Sequence, residues 1–350
     1  MDDRTYVWIV GRDTFQWLRL PLRRDAVRRW ADELQRIRGS ERAERLRAVL
    51  QSAHDGMAAP VLKRIGARAT RLVIVPDDAM HAIPFGALHN PDTKRFIIER
   101  LPVETAASAT FYVSSLVADE KLAKGRATAL LFGNPAFDRT LPFAESLDDL
   151  QAAEAEVGEI RGLYDSTVRV GAEATIPALV QLAPRNTIVH LAAHGVVNAV
   201  VPDQSLLLLA PTGGDHGVLR PKELMERLPK LPATRLVILG ACSSAGGAAV
   251  GADGIAPLVR PFMAAGVPGV VGTLWSVPDA TAREILVSFH RRYRNGEDAA
   301  VALQGAQCDQ IRKHLAHPFD AALPWAAFQM FGHASAPRAA AHNEKEKEPP

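Results

Sequence analysis

With 350 residues, 47% of them hydrophobic and 23% charged, the chain has apolar material for a large core and the charge content of an ordinary globular protein. A formal net charge of only +2 gives no reason to expect nucleic acid or an acidic membrane as the main partner. Two cysteines, Cys242 and Cys308, exclude a disulfide framework and a C-x-x-C zinc pair, and no run of eighteen apolar residues suggests a membrane span. A reducing cytoplasm is the expected compartment.

The opening TYVWIVGRDTFQWLRLPL is rich in β-branched and aromatic residues and breaks at Gly11-Arg12-Asp13, which reads as a hairpin. Val27, Trp30, Leu34 and Ile37 follow at helical spacing, with arginines between Arg19 and Arg47 interleaved with acids as on a solvated helix face. Trp8, Trp17, Trp30 and Leu34 are expected to pack on partner surfaces, so that loss of residues 1–60 destabilises the chain.

From about Arg71, short apolar runs alternate with helical patterns, as βαβ units do. The runs are LVIVP, ATALLFGNP, STVRV, TIVHLAAHG, RLVILGAC and GVPGVVGTLW. Amphipathic stretches lie between them at 152–164, 175–182, 221–228, 254–265 and 281–294. The expected fold is α/β: a mostly parallel sheet with helices on both faces. LLLLA, before a Gly-Gly turn, reads as a hairpin strand beside that sheet. The polar end, 336–350, is expected to be a disordered tail, and no internal repeat of twenty to fifty residues is found.

In parallel α/β sheets the ligand site lies beyond the carboxyl ends of the strands. Two runs end on reactive residues: TIVHLAAHG on His194-Gly195, and RLVILGAC on Cys242. If these strands are neighbours, an imidazole and a thiol emerge side by side, and the imidazole favours the nucleophilic thiolate. The N–H groups of Gly195 and Cys242 would then form an oxyanion hole. A strand-end cysteine also occurs as a small buried hydrophobe, the plainer reading. His190 reads as a core histidine, and Cys308 as a small apolar residue on a helix. Ser243 and Ser244 lack the glycines of a nucleophile elbow, phosphate-loop and dinucleotide fingerprints are missing, and His81, His89 and His216 show no metal spacing. No cofactor or metal is expected.

The ordered motifs LVIVPDDAMHAIPFGAL, FGNP, AEAEVGEI, VHLAAHG, LVILGACSSAGG, GVPGVVGTLWSVPDATA and HPFDAALPWAAFQMFG make the sequence resemble the CHAT family of bacterial caspase-like proteins, related to separases. The resemblance covers about residues 5–335. It implies a Cys-His dyad at Cys242 and His194, a pseudo-catalytic part at 1–120 and a catalytic part at 125–335. The stretch Cys242-Ser243-Ser244-Ala245 is closer to the separase pattern than to the Cys-Glu-Thr of bacterial relatives. In the caspase-like fold the loop after the GVVGTLW strand lines the specificity pocket, so Asp279, with Asp253 as a second acid, is the candidate for binding Arg or Lys; each is also a good helix-cap or turn residue.

The expected activity is a cysteine endopeptidase (thiol protease) acting on a protein substrate through an acyl-enzyme. A regulatory partner or an upstream helical-repeat region of the kind many relatives carry would activate it. A catalytically silent scaffold and a thiol transpeptidase on the same fold are the alternatives.

Overall fold

A computed structural model describes residues 4–337, apart from 38–41, 67, 123–124, 146, 197–200, 241–255 and 321. Strands β1 (Thr5–Val10) and β2 (Phe15–Leu20) form the expected hairpin, in antiparallel register with Trp8 opposite Trp17. Period-two alternation sends Leu18 and Leu20 into the core, with Val7 and Ile9 packed against it. The same alternation turns Trp8 (65% exposed) and Trp17 (61%) to the outside, correcting the expectation that they pack inward. Leu34, on α1 (Arg24–Arg36), is buried, and Trp30 is half-buried against Gly56. Helices α2 (Arg42–Ala53) and α3 (Ala59–Ile65) follow, joined by a π turn at His54–Ala58.

Strand β3 (Leu72–Ile74) begins the main sheet, and a small ribbon, β4 (His89–Asn90) with β5 (Arg95–Phe96), separates it from β6 (Val103–Thr105). After α4 (Ala109–Lys121) come β7 (Thr128–Pro135), α5 (Gln151–Ile160), β8 (Asp165–Gly171), α6 (Ile176–Leu182) and β9 (Ile188–Ala192). A three-stranded side sheet follows: β10 (Gly195–Val196), β11 (Leu206–Leu208) and β12 (Val218–Leu219). Its central strand is the LLLLA run, paired as expected in a hairpin beside the main sheet. Then come α7 (Pro221–Arg227), β13 (Leu236–Leu239), α8 (Ala256–Ala264) and β14 (Gly269–Thr273). Helices α9 (Asp279–Arg294), α10 (Ala299–Lys313) and α11 (Ala322–Ala326) lead to β15 (Phe328–Gly332).

The eight-stranded sheet has the order β3-β6-β15-β14-β13-β9-β7-β8. All neighbours are parallel except β14 with β15. The fold class is therefore the mixed α/β architecture expected. Alternate residues feed two opposite cores, as a sheet covered on both faces requires. Leu131, Ile238 and Val271 join α5, α9 and α10 on one side; Leu130, Val189, Val237 and Val270 join α6, α7 and α8 on the other.

Two strands of this sheet carry no clear sequence signal. Strand β6 is three residues long and contains Glu104, buried and held by Arg71 Nη1 (2.6 Å), the Tyr112 hydroxyl (2.6 Å) and His333 Nδ1 (2.9 Å). Strand β15 supplies the one antiparallel joint, closing so tightly on the chain before β14 that a Cβ at Gly332 (φ +70°) would lie 2.2 Å from the Pro268 carbonyl oxygen. Through β15 the early strands β3 and β6 join β14, β13, β9, β7 and β8 of the later part in a single sheet. Pro337 is buried, so the polar end starts beyond it; residues 338–350 lie outside the described residues.

Candidate active site

The five strands on one side of the antiparallel joint run β8-β7-β9-β13-β14, a 2-1-3-4-5 order whose direction of winding reverses between β7 and β9. At such a reversal the loops leaving two strands diverge and open a crevice. His194 stands there, two residues beyond β9. It is 2% exposed and its Nε2–H donates to the Asp148 carbonyl oxygen (2.8 Å), which leaves Nδ1 as the basic nitrogen of the ring. Burial pushes the His194 pKa down, opposed by the Asp148 carbonyl and the charge of Asp279.

The loop after β7 builds the wall of this crevice. Asn134 takes a left-handed φ of +46°, and its Oδ1 accepts the Leu150 N–H (3.0 Å), tying down the segment that carries the Asp148 carbonyl. The Phe137 ring meets the His194 ring edge-on, with centroids 5.1 Å apart. Arg139 lies over the Phe137 ring, 4.7 Å from its centroid, while donating to the Leu147 carbonyl (3.1 Å) and to Asp149 (2.5 Å). Sequence reasoning assigned none of Asn134, Phe137, Arg139 and Asp148 a role, although FGNP and its proximity to a strand end were a usable signal.

Gly195 opens β10 opposite Leu207. The neighbouring bond runs from Leu208 N–H to the His194 carbonyl (2.9 Å), which makes Gly195–Leu207 a non-hydrogen-bonded pair. The Gly195 N–H is therefore directed away from β11.

Asp279 is the first residue of α9, not its N-cap, which is Pro278. Its Oδ2 accepts the Ala152 N–H (2.7 Å), one of the amides left over at the start of α5. It thus caps a neighbouring helix and fixes the start of α5 beside the His194 crevice.

Beneath the site, the core-facing His190 of β9 has its Nε2 2.7 Å from Glu156 Oε1 of α5, and its Nδ1 3.1 Å from His290 Nε2 of α9. His290 in turn meets the Tyr164 hydroxyl (3.1 Å). Burial pushes the Glu156 pKa up and the His290 pKa well down. His190 is a core histidine, as expected, with polar neighbours on both ring nitrogens.

Strands β9 and β13 lie side by side in parallel register, Leu191 opposite Leu239, and the Gly240 N–H donates to the Leu191 carbonyl (3.0 Å). Cys242 and Asp253 lie outside the described residues. Cys308 sits on α10, its thiol 3.8 Å from the Ile98 carbonyl and pushed up to about 11 by burial. Among the described residues no three His, Cys, Asp or Glu side chains group closely enough to hold a metal ion. No described helix is long and apolar enough to cross a membrane.

A family model for the CHAT domain matches residues 47–333. A curated human relative, tetratricopeptide repeat protein 28, is 24% identical over 306 residues, covering 76% of this chain; its mouse counterpart matches equally. The chain spans only 12% of the length of these relatives. Among solved structures, separase in the Saccharomyces cerevisiae separase–securin complex is 15% identical with a TM-score of 0.47, covering 75% of this chain and 15% of that one. The Arg-specific cysteine proteinase gingipain R is 10% identical with a TM-score of 0.49, covering 89% and 74%.

Proposed function

The chain belongs to the CHAT domain family, and from that premise we propose that it is a cysteine endopeptidase in which Cys242 attacks a peptide carbonyl and His194 moves the proton. The observation that carries this reading is the parallel pairing of β9 with β13: His194 stands just past one strand end, and Cys242 follows Gly240 by two residues past the other. The Cys242 thiol gives its proton to His194 Nδ1 and the sulfur bonds to the substrate carbonyl carbon. The resulting oxyanion is held by the N–H groups of Gly195 and Cys242. Collapse expels the amine, which takes the proton from His194, and water then hydrolyses the thioester with His194 as base. The Asp148 carbonyl holds the imidazole in the needed tautomer and stabilises its charged form through a dipole in place of a carboxylate. Cleavage of a peptide library by the unmutated protein, and not by Cys242→Ala, tests the reading.

The depressed pKa of His194 sets the pH dependence. Its ring is neutral at pH 7 and protonates only below the ordinary histidine value of about 6.5. Cleavage measured as kcat/KM should stay level as pH falls to about 6.5 and drop below it. An acidic limb centred above that value would contradict the assignment of His194 as base.

Asp279, with Asp253, remains the proposed acidic contact for an Arg or Lys side chain before the scissile bond. A carboxylate has about four lone-pair positions, so the bond to Ala152 does not exhaust Asp279. Asp279→Asn keeps an oxygen for Ala152 and should weaken cleavage after Arg by one to three orders of magnitude, on the order of a lost shielded charge pair. Equal cleavage of fluorogenic Arg and Leu peptides by the unmutated protein would rule the pocket out.

The activity belongs in a reducing cytoplasm, where the thiol persists. Control by a helical-repeat region or a partner is the regulation we favour, supported by the repeat-protein name of the curated relatives, of which this chain matches a small part.

A further inference from the structure

The hairpin at the start of the chain presents an outer face that the catalytic reading does not use. Tyr6, Trp8, Val10, Phe15 and Trp17 stand on it with exposures of 41%, 65%, 74%, 70% and 61%. Aromatic side chains carry about 150–250 Å² each, so the strip exposes on the order of 500 Å², near the upper end of about 300–600 Å² for the largest apolar patch on a monomer. Two further features say what covers it. First, β1 and β2 form a two-stranded sheet of their own, so each has one side with no described strand beside it and a row of backbone N–H and C=O groups turned outward. Second, an exposed cation stands at each end of the strip: Arg19 opposite Tyr6 at one, and Arg12, next to the exposed Asp13, in the turn at the other.

We infer that this hairpin captures an extended acidic polypeptide segment, which adds as a third strand and lays alternate apolar side chains along the Trp8–Trp17 strip while its carboxylates meet Arg12 and Arg19. Main-chain bonds to an open strand edge supply affinity, and alternate side chains supply specificity. A second copy of this chain fits less well. A stable dimer needs about 800 Å² from each partner, and a two-fold contact would bring two sets of the same arginines together. Single-stranded nucleic acid could stack on the rings but has no use for the strand edges, and the Tyr6 and Trp17 rings already lie together at 6.5 Å. This inference does not depend on the peptidase reading.

The test is to pan a displayed library of random twelve-residue peptides against the full chain and measure Kd for those selected. Apolar residues at every second position, with Asp or Glu continuing the same face at the ends of the apolar run, are expected, and Trp17→Ser and Arg19→Glu should each weaken binding at least tenfold. Both side chains project to solvent, so thermal unfolding of the variants should match that of the parent. Should Trp17→Ser fold poorly, Arg12→Glu combined with Arg19→Glu serves instead, and peptides remade with Lys for the acids should then prefer that variant over the parent. Selected peptides without acidic residues, or no peptide dependent on Trp17 and Arg19, would overturn the proposal. So would Trp17-dependent dimerisation in sedimentation, or Trp17-dependent binding of oligo-dT or phosphatidylserine vesicles, since each names a different occupant.

Discussion

Cys242→Ala and His194→Ala are each expected to lower kcat/KM for peptide cleavage by about three orders of magnitude or more, and the double variant should be no worse than either single one. The two side chains act on one proton in one step, so removing either leaves only binding and the oxyanion donors, and the losses cannot add. The variants differ in what they cost the fold. His194 is buried, packs edge-on against Phe137 and donates to the Asp148 carbonyl. Its loss should therefore cost about 1–3 kcal/mol of stability as well. Activity of His194→Ala is to be compared at a temperature where circular dichroism shows it folded. Cleavage within tenfold of the parent in either folded variant would remove that residue from the mechanism.

Arg235→Leu should destabilise the chain by about 3–5 kcal/mol, the cost of leaving a buried carboxylate without its cation. Arg235 and Asp119 are both buried and directly paired. The guanidinium also donates to the Leu122 carbonyl and to Ser335 Oγ, while Asp119 accepts the Ser335 N–H (3.1 Å). One cation thus joins the end of α4, the residue before β13 and the chain after β15. Adding Asp119→Leu to Arg235→Leu should recover much of the loss, because two apolar groups replace an unpaired charge. Urea denaturation of the two variants decides this; a single variant within 1 kcal/mol of the parent contradicts it.

The parallel core of the fold was legible because β13 is a continuous apolar run and β9 is one broken only by His190, both buried on both faces. Helix α6 was legible as the amphipathic stretch 175–182, and the structure adds its cap, Thr175, whose side chain accepts the Ala178 N–H. The strands β6 and β15 were not legible: one is three residues with a charged centre, and the other, FQMFG, has no β-branched residue to mark it. Around His194 the failure has a different cause. The group that orients its ring is a backbone carbonyl, which any residue carries, and the ring that packs on it, Phe137, sits 57 positions away. Asp279 reads locally as a cap, but it caps a helix that begins 128 residues earlier, and only the packing of α5 on α9 brings the two together. On the hairpin, alternation predicts two faces without saying which face meets the core.

The account stands most directly on the reactivity of Cys242, and the chain supplies its own control. Burial pushes the Cys308 thiol up to about 11, so at pH 7 about one part in ten thousand of it is thiolate. Iodoacetamide labelling of the native protein at pH 7, followed by mass spectrometry of its peptides, compares the two cysteines in a single experiment. Cys242 should label at least tenfold faster than Cys308, and His194→Ala should slow Cys242 while leaving Cys308 unchanged. Labelling of Cys242 at the rate of Cys308, or at a rate that does not respond to His194, would contradict the dyad.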